Sequence, residues 1–337
     1  MRHSSRSTSE FLFVGIDVAH KTLAVAIDGE SVREFPNNGV GWEKLLAAIG
    51  KHKTKARVVL EATGSYHFDL ACELAAAPFA EVMVVNPRAA KAFHQAQFRR
   101  AKTDAVDATS LLEMGRRMEF KPWKAPSDGT IELRQLSRYI DSLTKEGARL
   151  KNKIHAAEIS RRGSSFVVAD LKSRLTDLQT RMTKAEQQLS ALLGADADHK
   201  RVAEALKTVP GIGTATAGRL ISEFVVLDPE MTAKQISAYA GLDPRPQESG
   251  TSVRGARGIS RYGNGRLRSL LYLPAISAAR MDSPFKAFAE RIAARSGKKM
   301  VAIVAVMRKL LVTAWAMFRS GEAWDAARSA PETTRAA

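Results

Sequence analysis

Cysteine is almost absent from this chain of 337 residues, which holds only Cys72. That excludes an intramolecular disulfide framework and a cysteine-based zinc cage, and the seven histidines show no metal-ligand spacing. Cys72 reads as a small buried hydrophobe. No unbroken apolar run approaches the roughly 18 to 20 residues of a membrane span. The polar start MRHSSRSTSE is not followed by an apolar core with a small-residue cleavage pattern. A soluble, cytoplasmic protein with no membrane partner is expected. Acids are also in short supply, 35 Asp and Glu against 52 Lys and Arg, leaving a net charge of +17. That exceeds what solubility needs and points to a polyanionic partner. The rest of the composition, 45% apolar and 26% charged, is globular, and the length suits two or three domains. The surplus is uneven: residues 245–319 hold 15 Lys and Arg against Glu248, Asp282 and Glu290.

Along the chain, residues 11–19 (FLFVGIDVA), 22–27 and 31–35 read as a three-stranded meander. A helical pattern over 41–49, a strand over 57–61, a helix over 66–77 and a strand over 81–85 follow, the last closed by Asn86-Pro87. Three strands and then alternating helix and strand is the order of a ribonuclease-H-like α/β domain. The pattern then turns helical to Gln97, is interrupted by the basic segment 99–102 and resumes over 103–117. A first domain over 11–119 is expected, with a linker over 120–130 that opens FKPWKAPSDG.

Beyond it the period changes. Leu133, Leu136, Ile140, Leu143, Leu150 and Ile154 keep helical three-four spacing, as do Leu171, Leu175, Leu178, Met182, Ala185, Leu189 and Leu192. Residues 131–195 therefore form either a coiled-coil helical hairpin, broken at SRRGSS, or two strands of an intermolecular coiled coil. A mainly α domain over 199–325 completes the chain, with amphipathic stretches near 267–281, 284–294 and 300–318. Residues 1–10 and 329–337 read as flexible tails.

Four acids stand out. Asp17 closes the first strand, Glu61 the fourth, and Asp104 and Asp107 share one face of a helix at i, i+3. A ribonuclease-H-like sheet sets its first and fourth strands side by side, so the four carboxylates converge. Clustered acids repel unless cations neutralise them, and a pair of Mg²⁺ ions, with Mn²⁺ able to substitute, is the usual answer in phosphodiester chemistry. In the last third, VPGIGTATAGR has the composition of a helix-hairpin-helix turn, where Gly211 and Gly213 let backbone N–H groups approach a phosphate. A tight interhelical turn is the alternative. Arg254, Arg257, Arg261, Arg266 and Arg268 extend a basic strip, with Tyr262 able to stack on a base, and phosphate contacts rather than base readout are expected.

The motifs GIDVAHK, EATGSY, NPRAAKAF and KTDAVDA, followed by AYAGLDPRPQESGTSVRGARGISRYGN and LRSLLYLPA, resemble those of the DEDD transposases of insertion sequences. These are relatives of the Piv-type DNA invertases with a RuvC-like catalytic domain. The resemblance runs from Phe11 to about Arg319. It implies that Asp17, Glu61, Asp104 and Asp107 are the metal ligands and that Ser249, in the ESG motif, is the nucleophile. Ser252 is the second candidate, and Ser260 sits in a run better suited to gripping backbone. A serine needs a base or metal to activate it and no histidine lies near Ser249 in sequence, so help from the first module is expected, within one chain or across subunits. The resemblance further implies donor and target DNA as substrates and a structured non-coding bridge RNA as guide. It also implies a bacterial, nucleoid-associated setting. Exchange of four DNA ends and the heptad seams suggest a homo-oligomer, dimer or tetramer. The alternatives are a RuvC-like junction endonuclease using water, and a non-catalytic nucleic-acid-binding protein.

Overall fold

A computed structural model describes residues 10–62, 66–97, 103–160, 163–249, 253–260 and 262–326, and for 245–249 and 253–257 the backbone alone. The chain divides into two compact units, Met1–Ala125 and Pro126–Ala337.

The first unit is built on strands β1 (Leu12–Val18), β2 (Thr22–Ile27) and β3 (Arg33–Pro36), helix α1 (Gly39–Gly50), strand β4 (Ala56–Glu61), helix α2 (Phe68–Ala76), strand β5 (Ala80–Val85) and helices α3 (Pro87–Ala96) and α4 (Asp104–Arg117). The five-stranded sheet has the order β3-β2-β1-β4-β5, with β1, β2 and β3 antiparallel and β4 and β5 parallel to β1. This mixed sheet is compatible with a ribonuclease-H-like domain. Both faces are covered, which explains why the strands read as near-continuous apolar runs. Leu12, Val14, Ile16 and Val18 of β1 point one way, into a core with Val58 and Leu60 of β4, Leu45 and Ile49 of α1 and Leu70 and Leu74 of α2. The alternate residues face α4: Phe13 packs with Ala108 and Leu112, and Val59 with Leu111 and Met114.

Gly15 of β1 makes this second layer possible. A Cβ there would collide with the backbone of α4 at the Ala108 carbonyl and the Leu112 nitrogen, so only glycine lets the helix lie directly on the strand. Thr103 caps α4, its hydroxyl accepting from the Val106 N–H, which starts the helix at Asp104. The first residues of the expected linker are docked on this unit. The Trp123 N–H donates to the Val82 carbonyl at 2.6 Å, its ring meets Phe68 edge-on at 6.0 Å, and Arg57 lies between the rings of Phe11 and Phe120. Apolar rings among the prolines supply the reason. Cys72 is half-buried rather than buried, since Leu70, Ala71 and Leu74 form the inward face of α2.

The second unit comprises α5 (Asp128–Ile159), α6 (Ser165–Ala195), α7 (Ala197–Lys207), α8 (Thr214–Phe224), α9 (Ala233–Tyr239), strands β6 (Pro244–Ser249) and β7 (Val253–Ile259), α10 (Gly265–Ala278), α11 (Pro284–Ser296) and α12 (Lys299–Ser320). Helices α5 and α6 pack against each other within the chain. Leu143, Leu150 and Ile154 form their own cluster with Leu171 and Leu178, while Leu133, Ile140, Ala185, Leu189 and Leu193 join the main core around Phe224, Leu271, Phe285, Leu310 and Trp315. The α5–α6 pair is thus continuous at one end with the helices that follow.

Helix α12 is long and apolar enough on average to cross a membrane, although Arg308 and Lys309 break its apolar run. Its buried residues Val306, Leu310, Leu311, Ala314 and Trp315 lie in that core, and the Trp315 indole N–H donates to the Met231 carbonyl at 2.8 Å. Those contacts are what a core helix makes. The antiparallel pair β6–β7 adds strands to the mainly α domain expected over 199–325. Two prolines, scattered glycines and no apolar alternation hide the strands, which form a two-stranded antiparallel ribbon.

Candidate active site and nucleic-acid interface

Parity along the strands puts two acids on one face. Asp17 continues the Phe13, Gly15 alternation of β1, and Glu61 continues that of Val59 on β4; both therefore face the α4 layer. Ile16 pairs with Leu60 in the parallel register, so Asp17 and Glu61 are the next pair at the carboxyl ends of adjacent strands, where neighbouring backbones stand about 4.8 Å apart. Gly15 holds α4 down on β1, and the first turn of α4 carries Asp104 and Asp107.

The four acids share one electrostatic field. Asp17 is pushed up to about 6, first by burial and then by repulsion from Asp104, Asp107 and Glu61, against a lowering backbone hydrogen bond at Val18. Among the described residues no three His, Cys, Asp or Glu side chains are gathered closely enough to hold a metal ion as they stand. The donor set nevertheless has the chemistry of a hard divalent cation site, being carboxylate throughout.

The surroundings include residues that sequence reasoning missed. The His94 Nδ1 of α3 lies 3.3 Å from Asp107 Oδ1, outside hydrogen-bond geometry, with both side chains half-buried. No spacing signal pairs His94 with Asp107, since the two helices meet only in the fold. The Asn37 side-chain amide donates to the carbonyls of Ala19 at 2.9 Å and Tyr66 at 3.3 Å, and its oxygen accepts from the Trp42 indole at 2.9 Å. Asn37 thus ties the turn after β1 to the chain after β4. The Tyr66 ring rests against His20 at 4.9 Å.

In the second unit Ser249 is the last residue of β6 and pairs with Val253, which places its backbone at the far end of the ribbon. Gly250, Ser252 and Arg261 lie outside the described residues, and Arg254 and Arg257 are placed by backbone on β7. Ser260 stands at the ribbon's base, where its hydroxyl donates to Asp243 Oδ1 at 2.5 Å and its N–H to the Asp243 carbonyl at 2.9 Å. It closes the hairpin.

Two of the expected phosphate-binding arginines have partners inside the unit. Arg266 Nη1 donates to Asp141 Oδ2 at 3.2 Å, and Arg268 Nη1 to the Ala240 carbonyl at 2.8 Å. Gly211, at φ +88°, turns toward α10, where a Cβ would strike the Pro274 carbonyl, so its close approach is to protein. Gly213 caps α8 with open space around its Cβ position. Tyr262 is half exposed.

A set of strand-end acids on a mixed sheet, followed by a basic helical unit, is the arrangement expected of a phosphodiester-processing enzyme. Two transposase family models match the chain: a DEDD transposase model of the IS110 type over residues 14–157 and the transposase IS116/IS110/IS902 family over residues 203–290. The chain is 28% identical over 320 residues to the pilin gene-inverting protein of Moraxella bovis, covering 93% of this chain and 97% of that one. It is 30% identical over 271 residues to the putative transposase y4rJ of Sinorhizobium fredii, covering 66% and 68%. Identity to the transposase for insertion sequence element IS1328 of Yersinia enterocolitica is 25% over 215 residues, covering 57% and 62%. The chain belongs to the IS110 family of insertion-sequence transposases, and is a DNA transposase or recombinase.

Proposed function

We propose that this transposase cuts and rejoins DNA by attack of Ser249 on the scissile phosphate. The Oγ–P bond forms, the P–O3′ bond breaks, and the proton goes to the departing 3′ oxygen. A free 3′-hydroxyl later reverses the same exchange on a new strand and returns the proton to Ser249. The phosphoserine link conserves bond energy between the two steps. Asp17, Glu61, Asp104 and Asp107 would hold Mg²⁺, two ions with Mn²⁺ able to substitute, which neutralises charge developing on the phosphate. The observation that supports this role is Asp17, raised to about 6 by burial and by three neighbouring carboxylates. Such a group is poised to exchange its proton for a cation.

The rest of the reading concerns partners. Donor and target DNA are the substrates, and a structured bridge RNA selects the sites, consistent with the net charge of +17. Helices α5 and α6 act as a coiled coil in a homo-oligomer. The turn between α7 and α8 acts as a helix-hairpin-helix element through the open N-terminus at Gly213.

A denaturing-gel assay with labelled donor DNA, Mg²⁺ and the adjacent non-coding RNA tests the reaction. The expected result is a protease-sensitive protein–DNA adduct in the wild type that both Ser249→Ala and Asp17→Ala abolish. Continued cleavage by Ser249→Ala with no adduct in any lane makes water the nucleophile, and the junction-endonuclease chemistry replaces this one.

A further inference from the structure

Arg134, Arg138 and Asp141 stand at i, i+4 and i+7 on one stripe of α5. Asp141 is buried, and its two oxygens are taken by Arg219 of α8 and, at 3.2 Å, by Arg266 of α10. The other buried acid here, Glu223 of α8, is 1% exposed and accepts from the Asn264 side-chain amide at 2.8 Å. Arg138 is within electrostatic reach of Arg134, Arg266 and Glu223, so four guanidinium groups from three helices share a neighbourhood with two carboxylates.

Asp141 is committed to Arg219 and Arg266, whereas Arg134 and Arg138 form no ion pair with a carboxylate among the described residues. The Nε groups of Arg134 and Arg219 are buried without a hydrogen-bond partner. A buried unpaired donor is costly. Arg138 reaches the surface, yet partial burial and repulsion from Arg134 and Arg266 hold it below the ordinary arginine range, with Glu223 opposing them. Arg219 is lowered in the same way, by burial and by Arg266.

The cluster also has a place in the architecture. Asn264, which holds Glu223, caps α10, and its N–H donates to the Tyr239 carbonyl at 2.6 Å, just beyond the foot of the β6–β7 ribbon. Two arginines in excess on rigid helices, with planar donor forks, match a phosphate group better than any lone carboxylate.

We propose that Arg134 and Arg138, backed by Arg219 and Arg266, bind a phosphate of a nucleic-acid backbone at the foot of the ribbon that carries Ser249. The site rests on the chain being a DNA-handling enzyme and is independent of Ser249 acting as nucleophile or of any metal ion. Binding needs no strand cleavage, so a failure of the serine reaction leaves the following test readable.

Full-length protein with Arg134→Gln, Arg138→Gln or Arg138→Lys is titrated by fluorescence anisotropy against a random-sequence duplex DNA and, separately, a single-stranded RNA, from low to physiological salt. Each Gln substitution is expected to weaken binding about tenfold at low salt. For each phosphate no longer neutralised, the slope of log affinity against log salt should flatten by about 0.9 on duplex or about 0.7 on single strands. Arg138→Lys should keep the slope. A change on the duplex alone assigns the phosphate to DNA, and a change on the RNA alone assigns it to RNA. If Arg134→Gln does not fold, Arg138→Gln carries the test, because that side chain is exposed. Unchanged affinity and slope for both probes in a folded Arg138→Gln protein overturns the proposal.

Discussion

The acid set of the first unit and the arginine set of the second are unbalanced in opposite senses. Around Asp17 the neighbours are carboxylates, and burial adds to their repulsion. Around Asp141 the neighbours are guanidiniums, and one buried carboxylate holds two of them. Removing a charge should therefore relieve the first cluster and disrupt the second. Each cluster has the character of a site awaiting a counter-charge: a hard cation suits one, a phosphate the other.

The strongest way to break the comparison is to delete Asp141. Asp141→Ala leaves Arg219 and Arg266 without their carboxylate in a largely buried position, and a loss of about 3 kcal/mol is expected on urea denaturation. A loss below about 1 kcal/mol would mean that solvent already screens the arginines, and the contrast between the two clusters would collapse.

Much of this was readable in the sequence, and the unreadable parts share a cause. Strands β1 to β5 and helices α1 to α4 follow from apolar runs and caps, because each element announces its own burial. Asp17, Glu61, Asp104 and Asp107 could be singled out because strand ends and helix periodicity place them one element at a time. The β6–β7 ribbon could not, since its pairing uses backbone hydrogen bonds between segments with no apolar alternation. His94 beside Asp107 and the two arginines on Asp141 were also invisible, because each arrangement exists only where helices distant in sequence cross. Composition showed the excess of basic residues over 245–319 but not that Arg266 and Arg268 would turn inward.

A middle-sized effect separates the two readings of the turn between α7 and α8. Gly211 has φ +88° and faces the Pro274 carbonyl, so Gly211→Ala combines a strained backbone with a clash and should cost about 2 kcal/mol in thermal or urea melts. Gly213→Ala meets open space and should leave stability within about 0.5 kcal/mol. If Gly213→Ala nonetheless weakens duplex binding, a phosphate approaches that helix start. If binding is untouched, the turn only connects helices, and the arginine set gains weight as the unit's phosphate grip.

The smallest effect sharpens the acid side. Asp17 titrates at about 6 in the folded protein against 3.8 as its ordinary value, so between those values the folded chain binds more protons than the unfolded one. Stability from this group is fully present below pH 3.8 and is lost as pH rises through about 6. Metal-free Asp17→Asn should therefore be more stable than wild type at pH 7, by about 1 kcal/mol once partial solvent exposure is allowed for. The difference should shrink below about pH 5 as the wild-type carboxyl becomes neutral. If the four carboxylates hold the cation as proposed, adding Mg²⁺ should raise the wild-type melting temperature and leave Asp17→Asn less affected. An Asp17→Asn protein no more stable than wild type at pH 7 would show that the acids do not strain the fold, and the opposition between the two clusters would then rest on the arginines alone.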